Sequence, residues 1–321
     1  MTKLIIQIPC FNEEAALPGT LAELPRELPG VDLVEWLVVD DGSRDRTVEV
    51  ARELGVDHVV RLPRNRGLSR AFMAGIRAAL EAGADIIVNT DADNQYRAAD
   101  IPLLLDPLLK GEADLVVGAR PIGEIRHFSG PKRILQRLGS WVTRILSGTE
   151  VSDAVSGFRA ITRMAAMQLH VFNEYTYTVE TLIQAGQKGM VVRSVPVGVN
   201  PQQRPSRLVR STPRYILRQA TTMLRIFVTY RPFRFFALLG TGVFTVGFLL
   251  GLRFLYFYLN RAGAGHVQSV ILAALLLGIG IFLFLVGLLA DLIAVNRRLL
   301  EDLEARLQRM EERGRGGAGA T

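Results

Sequence analysis

Two long uncharged apolar runs constrain this chain more than any other feature. Residues 235–252, FFALLGTGVFTVGFLLGL, hold 18 positions without a charge, and residues 267–290, VQSVILAALLLGIGIFLFLVGLLA, hold 24. At about 1.5 Å per helical residue such runs match the roughly 30 Å hydrocarbon core of a bilayer. The alternative is a pair of buried core helices, but those keep a polar stripe and these have none. The reading is therefore a hairpin of two membrane spans, 234–259 and 267–293. Arg253 lies where it can snorkel to the interface, and Tyr256 and Tyr258 suit an aromatic belt. Arg225, Arg231 and Arg234 precede the first span and Arg297 and Arg298 follow the second, whereas the connection carries only Arg261 and His266. That asymmetry predicts both chain ends in the cytoplasm and the short loop outside. At the other end of the chain, the run Leu4–Ile8 is too short for a signal peptide.

The charge is regional. Residues 181–290 carry 12 basic side chains and no acidic one, while residues 1–180 carry 20 basic and 25 acidic, so the formal +7 arises around the spans. A hydrophobic share of 49% excludes a disordered chain, and a single cysteine, Cys10, excludes a disulfide framework or a zinc ribbon.

The first two hundred residues alternate apolar runs with helical patterns. KLIIQIP (3–9), VEWLVVD (34–40), DHVVRLP (57–63), ADIIVNTD (84–91) and ADLVVGA (113–119) read as buried strands, with helices near 13–24, 45–54, 67–82 and 99–109. This β-α repetition predicts an α/β domain with a parallel sheet covered on both faces, with ligands at the carboxyl ends of its strands. Those ends are polar in a patterned way: Pro9-Cys10-Phe11-Asn12-Glu13-Glu14, then Asp40-Asp41-Gly42-Ser43, Asn65-Arg66-Gly67, and Asp91-Ala92-Asp93-Asn94-Gln95. One such cluster is a turn and a helix cap; four at one edge point to a site. Neither GxGxxG nor GxxxxGK[ST] is present. In an extended segment alternate side chains project the same way, so Asp91 and Asp93 can share one hard cation such as Mg²⁺ or Mn²⁺.

The set PCFNEE, VDDGSRDRT, NRGLSRAFMAG, TDADNQY, VVGAR and SGFRA resembles the polyprenyl-phosphate glycosyltransferases of glycosyltransferase family 2, the dolichyl-phosphate mannose synthase type. The resemblance runs over about residues 3–210. It implies a GT-A catalytic domain over 1–208, a nucleotide-sugar donor (UDP- or GDP-sugar), and a polyprenyl or dolichyl phosphate acceptor at the membrane. By position, Pro9, Phe11, Glu13, Asp40 and Asp41 would hold the donor nucleoside. Asp91, Asp93 and Gln95, with Ala92 between, would hold the metal on the donor diphosphate. Arg120 would meet the acceptor phosphate, with Arg133 a second candidate. Asp153 matches a position some members are proposed to use as a base, although an orienting role or an ion pair with an arginine fits it equally. Arg204 and Arg207 resemble the family's R-x-x-G-x-S-K-L element that contacts donor phosphate, here with shorter spacing, no Gly, and Arg in place of Lys.

Between domain and spans, Arg210, Arg214, Arg218 and Arg225 recur on one helical face, which predicts a basic amphipathic helix over 209–230 lying at an anionic lipid surface. Nucleic acid is not the expected partner, since no stacking platform or binding module accompanies the charge. Residues 294–313 place Leu299, Leu303, Leu307 and Met310 at helical spacing, a short seam that would support a homo-oligomer, ahead of a GRGGAGAT tail expected to lack structure. The competing readings are a processive polysaccharide synthase, disfavoured because no Q-x-x-R-W follows and two spans make a poor channel, and a non-catalytic membrane scaffold, disfavoured by the intact Asp91/Asp93 pair.

Overall fold

The computed structural model describes residues 1–121, 151–171, 177–200, 227–260 and 267–318, with isolated positions 144, 148, 149, 221, 224 and 225. The chain divides into two compact units, Met1–Ile216 and Leu217–Thr321.

In the first unit, β1 (Lys3–Cys10), β2 (Leu33–Asp40), β3 (His58–Arg61), β4 (Ile86–Asn89) and β5 (Leu115–Ala119) fall on the five apolar runs. Two further strands, β6 (Arg159–Thr162) and β7 (Val192–Pro196), complete a seven-stranded sheet in the order β3-β2-β1-β4-β6-β5-β7. All pairings are parallel except those of β6, which runs antiparallel to both β4 and β5. The reversal brings the start of β6 to the edge where β4 and β5 end.

The interleaved helices are α1 (Leu17–Glu23), α2 (Thr47–Glu53), α3 (Leu68–Glu81), α4 (Ile101–Leu109) and α5 (Tyr177–Gln187). Alternate residues of β1 feed two cores. Leu4, Ile6 and Ile8 pack with Leu17 and Leu21 of α1 and Leu104, Leu105 and Leu108 of α4. Ile5 packs with Phe72 and Ile76 of α3 and Leu182 of α5 on the opposite face. Both faces being buried explains why the central strands are mostly apolar, with buried Gln7 of β1 donating to Asn89 of β4 at 2.8 Å. Each such side chain taken fully from water contributes about 1.5–3 kcal/mol.

The second unit contains α6 (Pro232–Leu259) and α7 (Val267–Ala318). Pro232–Leu259 and Val267–Arg297 are long and apolar enough to cross a membrane, with hydropathies of 2.1 and 2.9. Only 11% and 17% of their most apolar windows are buried, so their leucines and phenylalanines face outward, unlike those of a core helix. The two pack closely where side chains vanish: a Cβ on Gly240, Gly247 or Gly280 would come within 3.0 Å of the other helix. Residues 221, 224–225 and 227–230 are helical, whereas Arg210, Arg214 and Arg218 lie outside the described residues. The C-terminal segment differs from expectation. The second apolar run and the charged segment after it form one uninterrupted helix, and the tail is helical as far as Ala318. No proline stands between Val267 and Ala318 to stop propagation once the helix has started.

Candidate active site

The carboxyl edge of the sheet has two parts. In the first, the loops after β1 and β2 are laced together. Asn12, in a left-handed conformation (φ 55), accepts the Arg44 N–H on Oδ1 at 2.9 Å, and its own N–H donates to Ser43 Oγ at 2.8 Å. The Glu13 N–H donates to Thr47 Oγ1 at 2.9 Å. Asp40 accepts the Ser43 N–H at 2.9 Å, and its other oxygen faces Arg61 Nε at 3.3 Å. Asp41 accepts the N–H groups of Arg66 (2.7 Å) and Gly67 (2.8 Å), a carboxylate set just ahead of the positive end of α3. Burial pushes the Asp41 carboxyl above its ordinary range against the pull of those two N–H groups.

Gly42 has φ +74, and a Cβ there would lie 2.6–2.7 Å from the backbone of Arg64 and Asn65, so only glycine lets these loops meet. Phe11, Asn12, Gly42–Arg44 and Arg61–Asn65 line the resulting open cleft of about 580 Å³. It is within the usual size range of ligand sites, and Arg44, Arg61 and Arg64 favour an anion there. Of the expected donor residues, Phe11 lines this cleft, Glu13 is partly buried, and Pro9, Asp40 and Asp41 are buried.

The second part follows β4. Asp91 is partly buried and Asp93 exposed, with buried Ala92 between them. Asp93 Oδ1 accepts the Gln95 N–H at 3.1 Å, and Gln95 is partly buried. Burial and the Asp93 charge push the Asp91 carboxyl up to about 7, while Arg120 and Arg159 pull the other way. A carboxyl held up by burial and by a neighbouring acid fits a divalent cation, whose charge would offset both. Among the described residues no cluster of three His, Cys, Asp or Glu groups surrounds them. An ion here would therefore take phosphate oxygens and water as its remaining ligands, as Mg²⁺ does.

Arg120 and Asp153 form a buried, two-pronged ion pair. Nε lies 2.7 Å from Oδ2 and Nη2 3.2 Å from Oδ1, with the side chains 9% and 1% exposed. Burial opposes the Arg120 charge, but Tyr96, Asp153 and Asp91 outweigh it and hold the guanidinium protonated. Both Asp153 oxygens thus pair with the Arg120 guanidinium. The guanidinium of Arg120 also lies 5.9 Å from the Tyr96 ring centre.

The turn before β6 supports this group. Gly157 donates its N–H to Tyr96 Oη at 2.9 Å and accepts Asn89 Nδ2 at 2.8 Å. A Cβ on Gly157 would sit 3.0 and 3.2 Å from the Asp91 oxygens and 2.9 Å from Tyr177 Oη. Arg159, fully buried, spends its donors on neutral acceptors: the carbonyls of Ser156, Thr178 and Ala154, and Thr181 Oγ1. Tyr96 and Asn89 were not singled out by sequence reasoning, although an asparagine inside the apolar run ADIIVNTD is a visible anomaly. Arg133, Arg204 and Arg207 lie outside the described residues.

Residues 5–169 match the model of the family described as glycosyl transferase family 2. The chain belongs to that family. Membership makes it a glycosyltransferase, and the mostly parallel sheet with reversed β6 is its GT-A-like scaffold. Among relatives, the undecaprenyl-phosphate mannosyltransferase of Micrococcus luteus is 31% identical over 205 residues, covering 61% of this chain and 82% of that protein. The UDP-N-acetylglucosamine–dolichyl-phosphate N-acetylglucosaminyltransferase of Methanococcus voltae is 28% identical over 214 residues, covering 59% and 82%. Among solved structures, glucosyl-3-phosphoglycerate synthase from Mycobacterium tuberculosis, in complex with Mn²⁺, uridine diphosphate and glucosyl-3-phosphoglycerate, superposes with a TM-score of 0.52. It is 22% identical and covers 69% of this chain and 80% of that one, a likeness of fold.

Proposed function

We propose that this glycosyltransferase moves a single sugar from a UDP- or GDP-sugar to a polyprenyl or dolichyl phosphate at the cytoplasmic membrane face, inverting the anomeric carbon. The observation that carries the reading is the meeting, at one sheet edge, of the Asp91/Asp93 pair with a buried, permanently charged Arg120, in a chain that also carries two outward-facing apolar helices. The names of the two relatives, both of which act on lipid phosphates, support it.

The chemistry asks little of a base. A phosphate monoester has a second pKa near 6 and is largely dianionic at neutral pH, so it attacks without first losing a proton. Asp91 and Asp93, with Gln95 beside them, would hold Mg²⁺ or Mn²⁺, which when bound supplies positive charge to the donor diphosphate. Arg120 neutralises the incoming phosphate, and Asp153 fixes the guanidinium so that it need not reorganise. Phe11 and the arginine-lined cleft seat the nucleoside end. Arg133, Arg204 and Arg207 are further candidates for phosphate contacts.

The test incubates the full chain in lipid with labelled nucleotide sugars, Mn²⁺ and a polyprenyl phosphate. Chloroform-soluble monosaccharide that is lost on Asp93→Ala is the expected result. Polymeric product would replace the reading with a processive synthase, and silence with every donor would favour a scaffold.

A further inference from the structure

The loop carrying the acidic pair is held from outside by a helix that belongs to the other half of the site. Thr20 and Glu23 stand three residues apart on α1, hence on one face of it. Thr20 is buried and its Oγ1 donates to the Ala92 carbonyl at 2.9 Å, the residue between the two acids. Glu23 Oε1 accepts Nδ2 of Asn94 at 2.7 Å, and Glu23 Oε2 accepts Nδ2 of Asn200 at 3.0 Å. The same Asn200 amide reaches the Asn94 carbonyl at 3.1 Å, and the Asn200 N–H donates to the Gln95 carbonyl at 2.9 Å. Asn94 is left-handed (φ 55), and beyond it the Gln95 N–H closes back on the Asp93 carboxylate. That conformation is uncommon for a residue with a Cβ and persists where its surroundings dictate it.

We propose that Glu23 is a positioning residue: with Thr20 it makes α1 a splint that sets the geometry of Asp91–Gln95 for the cation. The inference rests on the metal-dependent reading above. The helix starts at Leu17, whose N–H donates to the Glu13 carbonyl at 2.9 Å, and the N–H groups of Asn12 and Glu13 are tied to Ser43 and Thr47 beside the cleft. One short helix therefore braces both the nucleoside side and the acidic pair. Its last residue also fixes Asn200, four residues before Arg204 in sequence.

The experiment compares wild type, Glu23→Gln, Thr20→Val and Asp93→Ala as full chains in lipid nanodiscs. Mn²⁺ affinity is read from the paramagnetic resonance of the free ion, alongside donor KM, acceptor KM and the thermal midpoint. Glu23→Gln keeps shape but turns one acceptor into a donor facing an amide. Its Mn²⁺ affinity is expected to fall about tenfold, as for loss of a hydrogen bond to a charged group. Donor KM rises with it, while acceptor KM and midpoint stay near wild type. Thr20→Val moves the same two quantities in the same direction. Wild-type Mn²⁺ affinity and donor KM in both variants, or a change confined to the midpoint, overturns the splint. Should Asp93→Ala bind Mn²⁺ as wild type does, the metal reading itself fails; loss in Asp93→Ala alone condemns only the role of Glu23.

Discussion

Replacing Asp153 separates two roles that a carboxylate at this position can play. Its partner Arg120 is 9% exposed and bound at 2.7 and 3.2 Å, so Asp153→Ala leaves a guanidinium buried without its counter-charge. Breaking a buried pair from one side costs about 3–5 kcal/mol. For a unit of roughly 200 residues each kcal/mol moves the thermal midpoint by about 2–4 °C, giving an expected drop on the order of 10 °C. Asp153→Asn retains one acceptor and should lose roughly half of that. Arg120→Leu/Asp153→Leu removes both charges and should recover most of the midpoint while staying inactive, because desolvation no longer opposes folding. Differential scanning calorimetry in nanodiscs reads the stability, and steady-state kinetics with varied lipid phosphate reads the function. If Asp153 positions Arg120, Asp153→Asn raises acceptor KM about tenfold with a smaller fall in kcat. A kcat loss of about 10²–10⁴ at unchanged acceptor KM, with the acid limb of the pH profile gone, is the signature of a general base and would refute the argument. So would a midpoint shift below about 2 °C for Asp153→Ala.

Gly157→Ala should weaken Mn²⁺ binding at least about tenfold without unfolding the chain, since its Cβ would crowd the Asp91 oxygens at 3.0 and 3.2 Å; resonance titration checks this. Asp91, pushed up to about 7, must shed its proton to bind a cation, so Mn²⁺ affinity should be level above about pH 7 and fall up to about tenfold per unit below it. The same raised pKa means the metal-free fold gains from this proton at acid pH. That contribution fades as pH climbs from the ordinary carboxylate range through about 7, and saturating Mn²⁺ should flatten the slope of midpoint against pH. Gly42→Ala places a Cβ 2.6–2.7 Å from the Arg64–Asn65 backbone at a left-handed φ, so donor KM, measured at saturating acceptor, should rise well ahead of any change in acceptor KM.

The first five strands were legible because they are predominantly apolar and separated by amphipathic helices, the pattern a doubly covered parallel sheet imposes. β6 escaped because it opens with Arg159, a charge that reads as surface until four neutral acceptors are found around its guanidinium. β7 escaped because its residues are only half-buried, which leaves a weak period-two signal in VRSVP. At the site, sequence brings Asp91 and Asp93 together by spacing alone. The Arg120–Asp153 pair spans 33 residues of chain, and Glu23 reaches across 71 to Asn94 and 177 to Asn200, separations no local pattern encodes. What spacing does not show for Asp41 is its partners, the N–H groups of Arg66 and Gly67 some 25 residues on.

The single reversed strand has a consequence for how such an enzyme diversifies. A parallel crossover must carry the chain back across the sheet, so its length is tied to strand length and to the packing of its helix. The connection from β5 to β6 escapes that tie, because Ala119 and Arg159 both stand at the catalytic edge, with Val117 paired to Arg159. Chain inserted between them pays only closure entropy, about 0.6 kcal/mol for each doubling of length. The sheet can therefore keep β1 to β4 fixed while the stretch next to Arg120 lengthens, shortens or changes character.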